Sequence, residues 1–305
     1  MDSSQAAHTI RNNMKEKETL FVSFSGGRTS AYMCWWLLNN KADEYDFIFV
    51  FANTGLEHEA TLEFVDKCDK AWGLNLVWVE AVINPVKNKG TVSKIVNFEV
   101  ATRSDRLFRD MAGVYGVPNK SYPHCNRELK IQAVQHYKTT IGFKRNHLTA
   151  IGMRGDEIDR MSASAEEDGL IYPLISWHIT YKPEVIHWWA AQSFDLGVKE
   201  HYGNCLTCWK KSDRKLFTLA QDDPKLFDSF KAIEKEFGHV NAPDNDRVFF
   251  RKHRSAEDML IASEGDFVRF EDYKPELQLR LISDGCFDID ELDKEDSCGA
   301  SCEAH

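Results

Sequence analysis

The first eighty residues alternate between short apolar runs and segments whose apolar residues recur at helical spacing. Residues 20–24, 47–51 and 74–79 are apolar runs. Continuous runs of this length are typical of buried strands. The segments between them, residues 29–38 and 57–72, place apolar side chains three or four positions apart, which predicts helices. The pattern therefore predicts strand, helix, strand, helix, strand.

This order predicts a parallel sheet, because a helix that connects two strands of one sheet forms a right-handed crossover and covers one face. The expected fold class is α/β: a doubly wound, mainly parallel sheet with a helical C-terminal extension. In such sheets ligands bind at the carboxyl ends of the strands. Two polar turns, residues 25–30 and 53–55, follow the first two strands and are expected at that edge.

The remaining pattern is less regular. Residues 81–117 are expected to be less regular, with one helix among them, and residues 154–169 form a polar loop. An apolar stretch at 171–177 ends at His178. The other predicted elements are a strand at 147–153 and helices at 105–112, 126–140, 183–192, 216–238 (with a break near Pro224) and 256–262.

Four segments follow from these patterns. Residues 1–18 are a short N-terminal arm, and residues 19–215 contain the predicted sheet and its motifs. Residues 216–283 form the mainly helical extension. Residues 284–305 form an acidic, cysteine-containing tail in which disorder is expected.

The charge is unevenly distributed. The 305 residues carry a formal charge of −10, and the tail holds eight acidic residues against one lysine. The nearly neutral remainder does not favour unspecific nucleic-acid binding. Basic runs at residues 210–215 and 251–254 are more typical of solvated faces than of contact sites. No apolar run is long enough to cross a membrane, and a cytoplasmic protein with reduced or metal-bound cysteines is expected.

Residues 25–30, Ser-Gly-Gly-Arg-Thr-Ser, form what we call the glycine loop. A strand, a glycine turn and a helix aim backbone N–H groups and the positive end of the helix dipole at one point, which suits a phosphate. The alternative interpretation is an ordinary tight turn between a strand and a helix, which would show the same glycine pair. The predicted phosphate-binding residues of this loop are Ser25, Gly26, Gly27, Arg28, Thr29 and Ser30.

Six motifs in order carry a family resemblance. The glycine loop resembles the pyrophosphate-binding loop of the adenine nucleotide alpha-hydrolase, or PP-loop ATPase, superfamily. The later motifs resemble its phosphoadenosine phosphosulfate (PAPS) reductase branch, over roughly residues 20–215. They are Asn-Thr-Gly at 53–55, Cys-Asn-Arg-Glu-Leu-Lys at 125–130, Gly-Met-Arg-Gly-Asp-Glu at 152–157, Tyr-Pro-Leu-Ile-Ser-Trp at 172–177 and Gly-Asn-Cys-Leu-Thr-Cys at 203–208.

The resemblance implies an adenylyl nucleotide, either ATP or a PAPS-type sulfonucleotide, with magnesium as a further expectation. It also implies that Ser23, Asn53, Thr54, Gly55 and Gly152 join the glycine loop in binding this nucleotide. Lys130, Arg154 and Arg160 would then neutralise phosphate or sulfate. Salt bridges to neighbouring acids are the structural alternative for both arginines. The loop keeps the glycine pair of ATP-cleaving members, but Thr29 stands where those members carry aspartate.

The cysteines allow three interpretations. Cys205 and Cys208 have the Cys-x-x-Cys spacing of soft-metal ligands, and Cys125 is a third candidate. Family members with a [4Fe-4S] cluster supply four thiolates, but Asn126 stands where the fourth would be. Three thiolates fit a cluster with one open iron, or zinc with His124 or His201 as the fourth ligand. Reduced structural thiols are the third interpretation.

The tail carries Ser297-Cys298-Gly299, which resembles the C-terminal segment whose thiolate attacks sulfur in family reductases. Cys298 is therefore predicted to be catalytic, with Cys302 as a resolving thiol. The acidic residues around it would raise its pKa and weaken it as a nucleophile.

Three functions remain open. The first is a reductase-like enzyme of sulfur metabolism served by a thioredoxin-like reductant or a sulfur donor. The second is an ATP-dependent thiolation enzyme that modifies a nucleic acid or base. The third is a non-catalytic nucleotide-binding relative, which the substituted Thr29 and Asn126 suggest. The fold alone cannot rank them. A homodimer is also an open alternative.

Overall fold

A six-stranded sheet organises the part of the chain that the structure, a computed structural model, describes: residues 17–272. The strands lie in the order β4-β3-β2-β1-β5-β6. All neighbouring pairs are parallel except β3 and β4. The strands are β1 Glu18–Ser23, β2 Tyr45–Asn53, β3 Val77–Ile83, β4 Thr91–Val96, β5 Thr149–Ile151 and β6 Leu170–Ile171.

Helices follow or cover the strands. A π-helical segment spans Arg127–Gln132, and 3-10 turns occur at Gly155–Arg160, Glu200–Tyr202, Pro224–Phe227 and Arg251–His253. The α-helices are α1 Arg28–Asn40, α2 Glu59–Trp72, α3 Arg106–Tyr115, α4 His124–Asn126, α5 Ala133–Thr140, α6 Pro173–Ser176, α7 Lys182–Ala190, α8 Asp213–Asp222, α9 Asp228–Phe237 and α10 Ala256–Ser263.

Both faces of the sheet are buried, because successive strand residues point to opposite sides. In β1, Leu20 and Val22 pack with α1, α2 and α7, while Phe21 packs on the opposite face. In β2, Phe49 joins the first of these cores and Val50 the second. This confirms the predicted doubly wound α/β fold.

The helices beyond residue 215 share one core with the sheet. Leu216, Phe230 and Met259 lie in the same buried cluster as Phe21. The helical break near Pro224 occurs as a 3-10 turn, because proline cannot donate a helical hydrogen bond. The N-terminal arm up to residue 16, the end of the predicted extension and the acidic tail lie outside the described residues.

The third strand and its neighbour differ from the prediction. Gly73 ends α2 with a φ of +62°, and Asn75 has a φ of 52°. Leu74 is therefore buried in a turn, and the strand begins only at Val77. No strand was predicted within the less regular residues 81–117, but the structure places the end of β3 and all of β4 there. β4 pairs along the sheet edge with Val92 and Ile95 exposed, so it has no continuous buried run for the sequence to show.

Two further segments were also assigned differently. The polar loop predicted at 154–169 contains the 3-10 turn Gly155–Arg160. The apolar stretch at 171–177 is divided between the last residue of β6 and the short helix α6, which begins at Pro173. Proline at the first helical position fixes the required φ and needs no N–H partner, which explains this start.

Candidate functional site

The glycine loop joins β1 to α1 at the carboxyl edge of the sheet. Gly26 has a φ of +84°, and a Cβ atom there would lie 2.8 Å from Thr61 Cγ2. Gly27 is the N-cap of α1, and none of the described side chains caps the helix at this position. The first turn of α1 also holds no acidic residue. The helix N-terminus therefore presents a positive dipole end suited to an anion.

Hydrogen bonds between serine hydroxyls and backbone groups of the glycine loop fix its conformation. The Ser25 N–H donates to Ser30 Oγ at 3.1 Å, and the two hydroxyls are 2.9 Å apart. Ser30 Oγ in turn donates to the Gly27 carbonyl at 3.0 Å. Gly152 follows β5 beside this network, where a Cβ would lie 2.7 Å from Ser30 Cα. Gly152 therefore permits the close approach of the β5 end to α1.

Arg28 is held by an acid distant in sequence. Its guanidinium donates to both carboxylate oxygens of Asp195, at 2.7 and 2.6 Å. Trp189 Nε1 donates to the Arg28 carbonyl at 2.9 Å. Burial alone would lower the pKa of Arg28, but Asp195 raises it above its ordinary value. This arginine anchors the start of α1 to the loop after α7.

We expect Arg28→Ala to weaken adenylyl nucleotide binding by less than about tenfold, because Asp195 in the loop after α7 holds this guanidinium, whereas the Arg154 guanidinium lies against Thr29 in the first turn of α1. The free energy of unfolding should fall by about 0.2–1 kcal/mol, the usual contribution of a partly exposed ion pair. Isothermal titration and denaturant unfolding measure the two effects. A loss of affinity of about 100-fold or more would show instead that Arg28 leaves Asp195 to bind the nucleotide.

Arg154 reaches the glycine loop from the loop after β5. Its Nη1 donates to Thr29 Oγ1 at 2.9 Å, while Nε and Nη2 donate to Asp156 at 3.0 and 2.8 Å. Glu157 Oε1 lies 3.4 Å from Nη2. Burial alone would lower the pKa of Arg154, but Glu157 and Asp156 raise it. The structure therefore brings a permanent, oriented cation to the N-terminus of α1.

The other two predicted cations lie on separate elements. Arg160 ends the 3-10 turn that contains Glu157 and contacts its Oε1 at 2.6 Å, so the predicted salt bridge is formed. Lys130 is buried on the π-helical segment. Their roles in nucleotide binding stay predictions.

Asn53 is the last residue of β2, and its buried side chain stabilises the turn that follows this strand. Its Nδ2 donates to Glu80 Oε1 at 2.7 Å and to the Thr102 carbonyl at 2.9 Å. Gly55 has a φ of +85° and fits closely against the Ser104 carbonyl. Asn53 is fully buried. These contacts give the turn a structural role that the sequence did not reveal.

Thr54 links this turn to the Cys-x-x-Cys segment. Its hydroxyl donates to Glu57 Oε1 at 2.6 Å and lies 3.2 Å from Cys205 Sγ. The Thr54 N–H donates to Glu57 Oε2 at 3.1 Å. Glu57 was not among the predicted site residues. Its position three residues after a threonine, the spacing of a capping box, was the available signal.

The candidate metal ligands all belong to the core on one face of the sheet. Cys205 and Cys208 are buried in a cluster with Trp209, and partly buried Cys125 packs against the same cluster. No group of three or more His, Cys, Asp or Glu side chains among residues 17–272 is placed to hold a metal ion. The described residues therefore do not assemble a cluster or zinc site, and these ligands stay predictions.

The two candidate histidine ligands have lowered pKa values. Burial, with the charges of Arg127 and Arg247, lowers the pKa of His124 to about 4. Burial also lowers the pKa of His201, although its Nε2 lies 3.3 Å from Asp222 Oδ2. Both imidazoles are therefore neutral at pH 7.

Four buried polar side-chain atoms have no hydrogen-bond partner among the described residues. Thr61 Oγ1 lies close to Gly26, and the other three, near the candidate metal ligands in sequence, are Asn126 Oδ1, His201 Nδ1 and Trp209 Nε1. A buried group of this kind costs free energy unless something satisfies it. The predicted catalytic Cys298 and its partner Cys302 lie outside the described residues.

The part of the chain that matches a known family includes the glycine loop, Arg154 and the strands that position them. Residues 19–182 match the phosphoadenosine phosphosulfate reductase domain. The chain belongs to this family. Membership confirms the predicted PAPS reductase resemblance, and the matched residues include every predicted nucleotide-binding residue. Cys205, Cys208 and Cys298 lie beyond the matched part of the chain.

Two relatives match most of the chain. An uncharacterized nin region protein of Escherichia phage lambda is 30% identical over 290 residues, covering 92% of this chain and 93% of the phage protein. An uncharacterized protein of Methanocaldococcus jannaschii is 28% identical over 232 residues, covering 72% of this chain and 48% of the archaeal protein. Neither name assigns a reaction to this PAPS reductase domain. Among residues 17–272, no helix combines the length and the apolar character that a membrane span requires.

Proposed function

We propose that this protein is an enzyme that binds an adenylyl nucleotide at the glycine loop and uses it for sulfonucleotide reduction or sulfur transfer. One observation carries the proposal: the N-terminus of α1 has no side-chain cap among the described residues, and the Arg154 guanidinium lies against Thr29 in its first turn. Backbone amides and an oriented guanidinium are the groups that bind phosphate oxygens.

The residues present fit a nucleotide phosphate. Gly26 and Gly27 leave the loop without side chains, and a Cβ on Gly27 would meet only Ser25 Oγ within 4 Å. The amides of α1 would bind a phosphate oxygen, and Arg154 would offset its charge. Thr61 Oγ1 is a buried, unsatisfied group close to the same turn. An adjacent ligand or ordered water could satisfy this hydroxyl.

The chain's own residues would stabilise charge that develops as the nucleotide reacts. With ATP, a substrate oxygen attacks the α-phosphate and pyrophosphate leaves; a sulfur nucleophile then displaces AMP. With PAPS, a thiolate attacks the sulfate sulfur, and adenosine 3′,5′-bisphosphate leaves. In both cases oxygen atoms gain negative charge, which preorganised N–H and guanidinium donors stabilise. Cys298 remains the candidate thiolate for the second reaction.

The glycine pair favours a second candidate, an ATP-dependent thiolation enzyme. The resemblance assigns Ser-Gly-Gly to ATP-cleaving members, and here Gly26 adopts the left-handed conformation that the turn requires. Arg154 contacts Thr29, which stands in place of the aspartate of those members. The substrate of this alternative would be a nucleic acid or base, with a sulfur donor in place of a thioredoxin-like reductant.

Incubation of anaerobically purified protein with ATP or PAPS distinguishes the reactions. Pyrophosphate release from ATP supports thiolation, and thiol-dependent sulfite release from PAPS supports reduction. Iron, zinc and sulfide analysis of the same sample tests the predicted [4Fe-4S] cluster against zinc. Nucleotide binding without either product would leave only a non-catalytic relative. Absence of binding to both nucleotides would overturn the proposal.

A further inference from the structure

A cavity of about 200 Å³ lies outside the glycine loop and is lined by cations and aromatic rings. Four separate segments form it: the loop between β3 and β4, the end of α3, residues 122–127 and the loop after α9. Three of its lining side chains are Lys87, Arg127 and Arg247, and no carboxylate is among the lining residues. Such a cavity is electrostatically suited to an anion.

The hydrogen bonds of these cations leave positive charge in the cavity. Lys87 Nζ donates to Asn241 Oδ1 at 2.7 Å, and Arg247 donates to the carbonyls of Tyr115 and Asn241. These partners are neutral. Arg127 is paired with Glu128 at 2.7 Å. Lys87 and Arg247 therefore contribute the uncompensated charge.

Planar groups are stacked along the wall of the cavity. The rings of Tyr122 and His124 are 6.0 Å apart with 28° between their planes, and those of Tyr115 and His124 are 5.4 Å apart. The Arg247 guanidinium lies 3.7 Å from the centre of the Tyr122 ring. Tyr122 is 44% exposed. A further planar ring entering from solvent would extend this stack.

We infer that the cavity binds one unstacked nucleotide of a single-stranded nucleic acid, with the base against Tyr122 and His124 and the phosphate at Lys87 and Arg247. Alternation of cations and aromatic rings suits a base and its phosphate together. The volume is below the 300–1,000 Å³ of ordinary ligand pockets, which favours one nucleotide entering while its neighbours remain outside.

The position of the cavity relates it to the candidate site. The Lys87 loop follows the carboxyl end of β3, and the glycine loop follows the same end of β1. β2 separates these two parallel strands, which places them about 10 Å apart. Binding by the cavity stands on its own geometry. Its use as a substrate site for sulfur transfer rests on the proposed function.

Fluorescence anisotropy of the full chain with labelled oligo(U) and oligo(dT) tests the inference, in the absence of ATP and PAPS. The two uncompensated cations, Lys87 and Arg247, predict a slope of log K against log salt of about −1.4 for a single strand. Lys87→Met should weaken binding and reduce the slope to about −0.7, since one phosphate contact is lost. Tyr122→Leu should weaken binding by about tenfold with an unchanged slope, since it removes stacking but no charge.

Lys89→Met is the matched control, because Lys89 is exposed in the same loop and does not line the cavity. Circular dichroism establishes that all variants are folded. Equal binding by the wild type and both cavity variants, or no binding by the wild type, would overturn the inference. If UMP displaces the oligonucleotide at concentrations similar to those at which the oligonucleotide itself binds, the cavity binds a free nucleotide and the inference is overturned. Full displacement by ATP would place the oligonucleotide at the glycine loop and also reject the inference.

This experiment separates the inference from the proposed function. Titration of the same variants with ATP or PAPS should give unchanged affinity, because Lys87 and Tyr122 lie outside the glycine loop. Oligonucleotide binding without adenylyl nucleotide binding would support the cavity and reject the proposed function. The reverse result would reject the cavity alone.

Discussion

Arg154→Ala is expected to weaken adenylyl nucleotide binding by about 100-fold or more. The substitution removes a guanidinium that lies 2.9 Å from Thr29 Oγ1 at the N-terminus of α1. It also leaves Asp156 and Glu157 without their cation, so two carboxylates would face the phosphate. Loss of a charged hydrogen bond costs about 1.5–3 kcal/mol, and repulsion adds to it. Isothermal titration with ATP and with PAPS measures the change.

Two further variants separate these causes. Arg154→Lys keeps the charge but loses the forked geometry, so we expect intermediate affinity. Adding Asp156→Asn to Arg154→Ala removes one repelling charge and should recover part of the lost affinity. If Arg154→Ala binds as tightly as the wild type, the arginine has only the structural role that its salt bridges allow.

Gly26→Ala is expected to lower the free energy of unfolding by about 2–4 kcal/mol. A φ of +84° is unfavourable for alanine by about 1–2 kcal/mol. The new methyl group would also lie 2.8 Å from Thr61 Cγ2 and 3.3 Å from Phe51 and Val65, which are buried. Overpacking of this kind costs about 1–3 kcal/mol. Urea unfolding measures the loss, and nucleotide binding should fall with it because the loop must shift.

Gly27→Ala is the matched control one residue away. Gly27 has a φ of −97°, and its nearest neighbour for a Cβ is Ser25 Oγ at 3.8 Å. Its effect on the free energy of unfolding should stay within about 1 kcal/mol, the usual cost of a poorer N-cap. If phosphate lies against the loop, this variant weakens nucleotide binding without loss of stability. Equal destabilisation by both variants would contradict the assigned roles of the two glycines.

The strand-helix alternation and the glycine loop were predictable because both depend on residues close in sequence. Leu20 and Phe21 face opposite sides of β1, as a continuous apolar run predicts for a strand buried on both faces. Gly26 adopts a positive φ where the pattern required a tight turn. The order of the motifs along the chain also predicted the family, which the matched domain confirms.

The antiparallel edge strand was not predictable in this way. β4 has exposed apolar residues and no buried run, so its pairing with β3 depends on the tertiary position of that edge. The contacts of Asn53, a polar residue, were likewise not predictable from the sequence. Its sequence position suggested a nucleotide ligand, but Glu80 and Thr102 approach it only in the folded chain.

The sequence by itself determined the buried parallel strands β1, β2 and β5, the helix that begins after Gly27 and the family, because hydrophobic period and turn chemistry act over a few residues. The tertiary structure decided which side chains meet. Asp195 holds Arg28 across 167 positions, Arg154 meets Thr29 across 125, and Lys87 and Arg247 line one cavity. Contacts of this kind depend on how the strands and helices pack, and local patterns along the chain do not encode that packing.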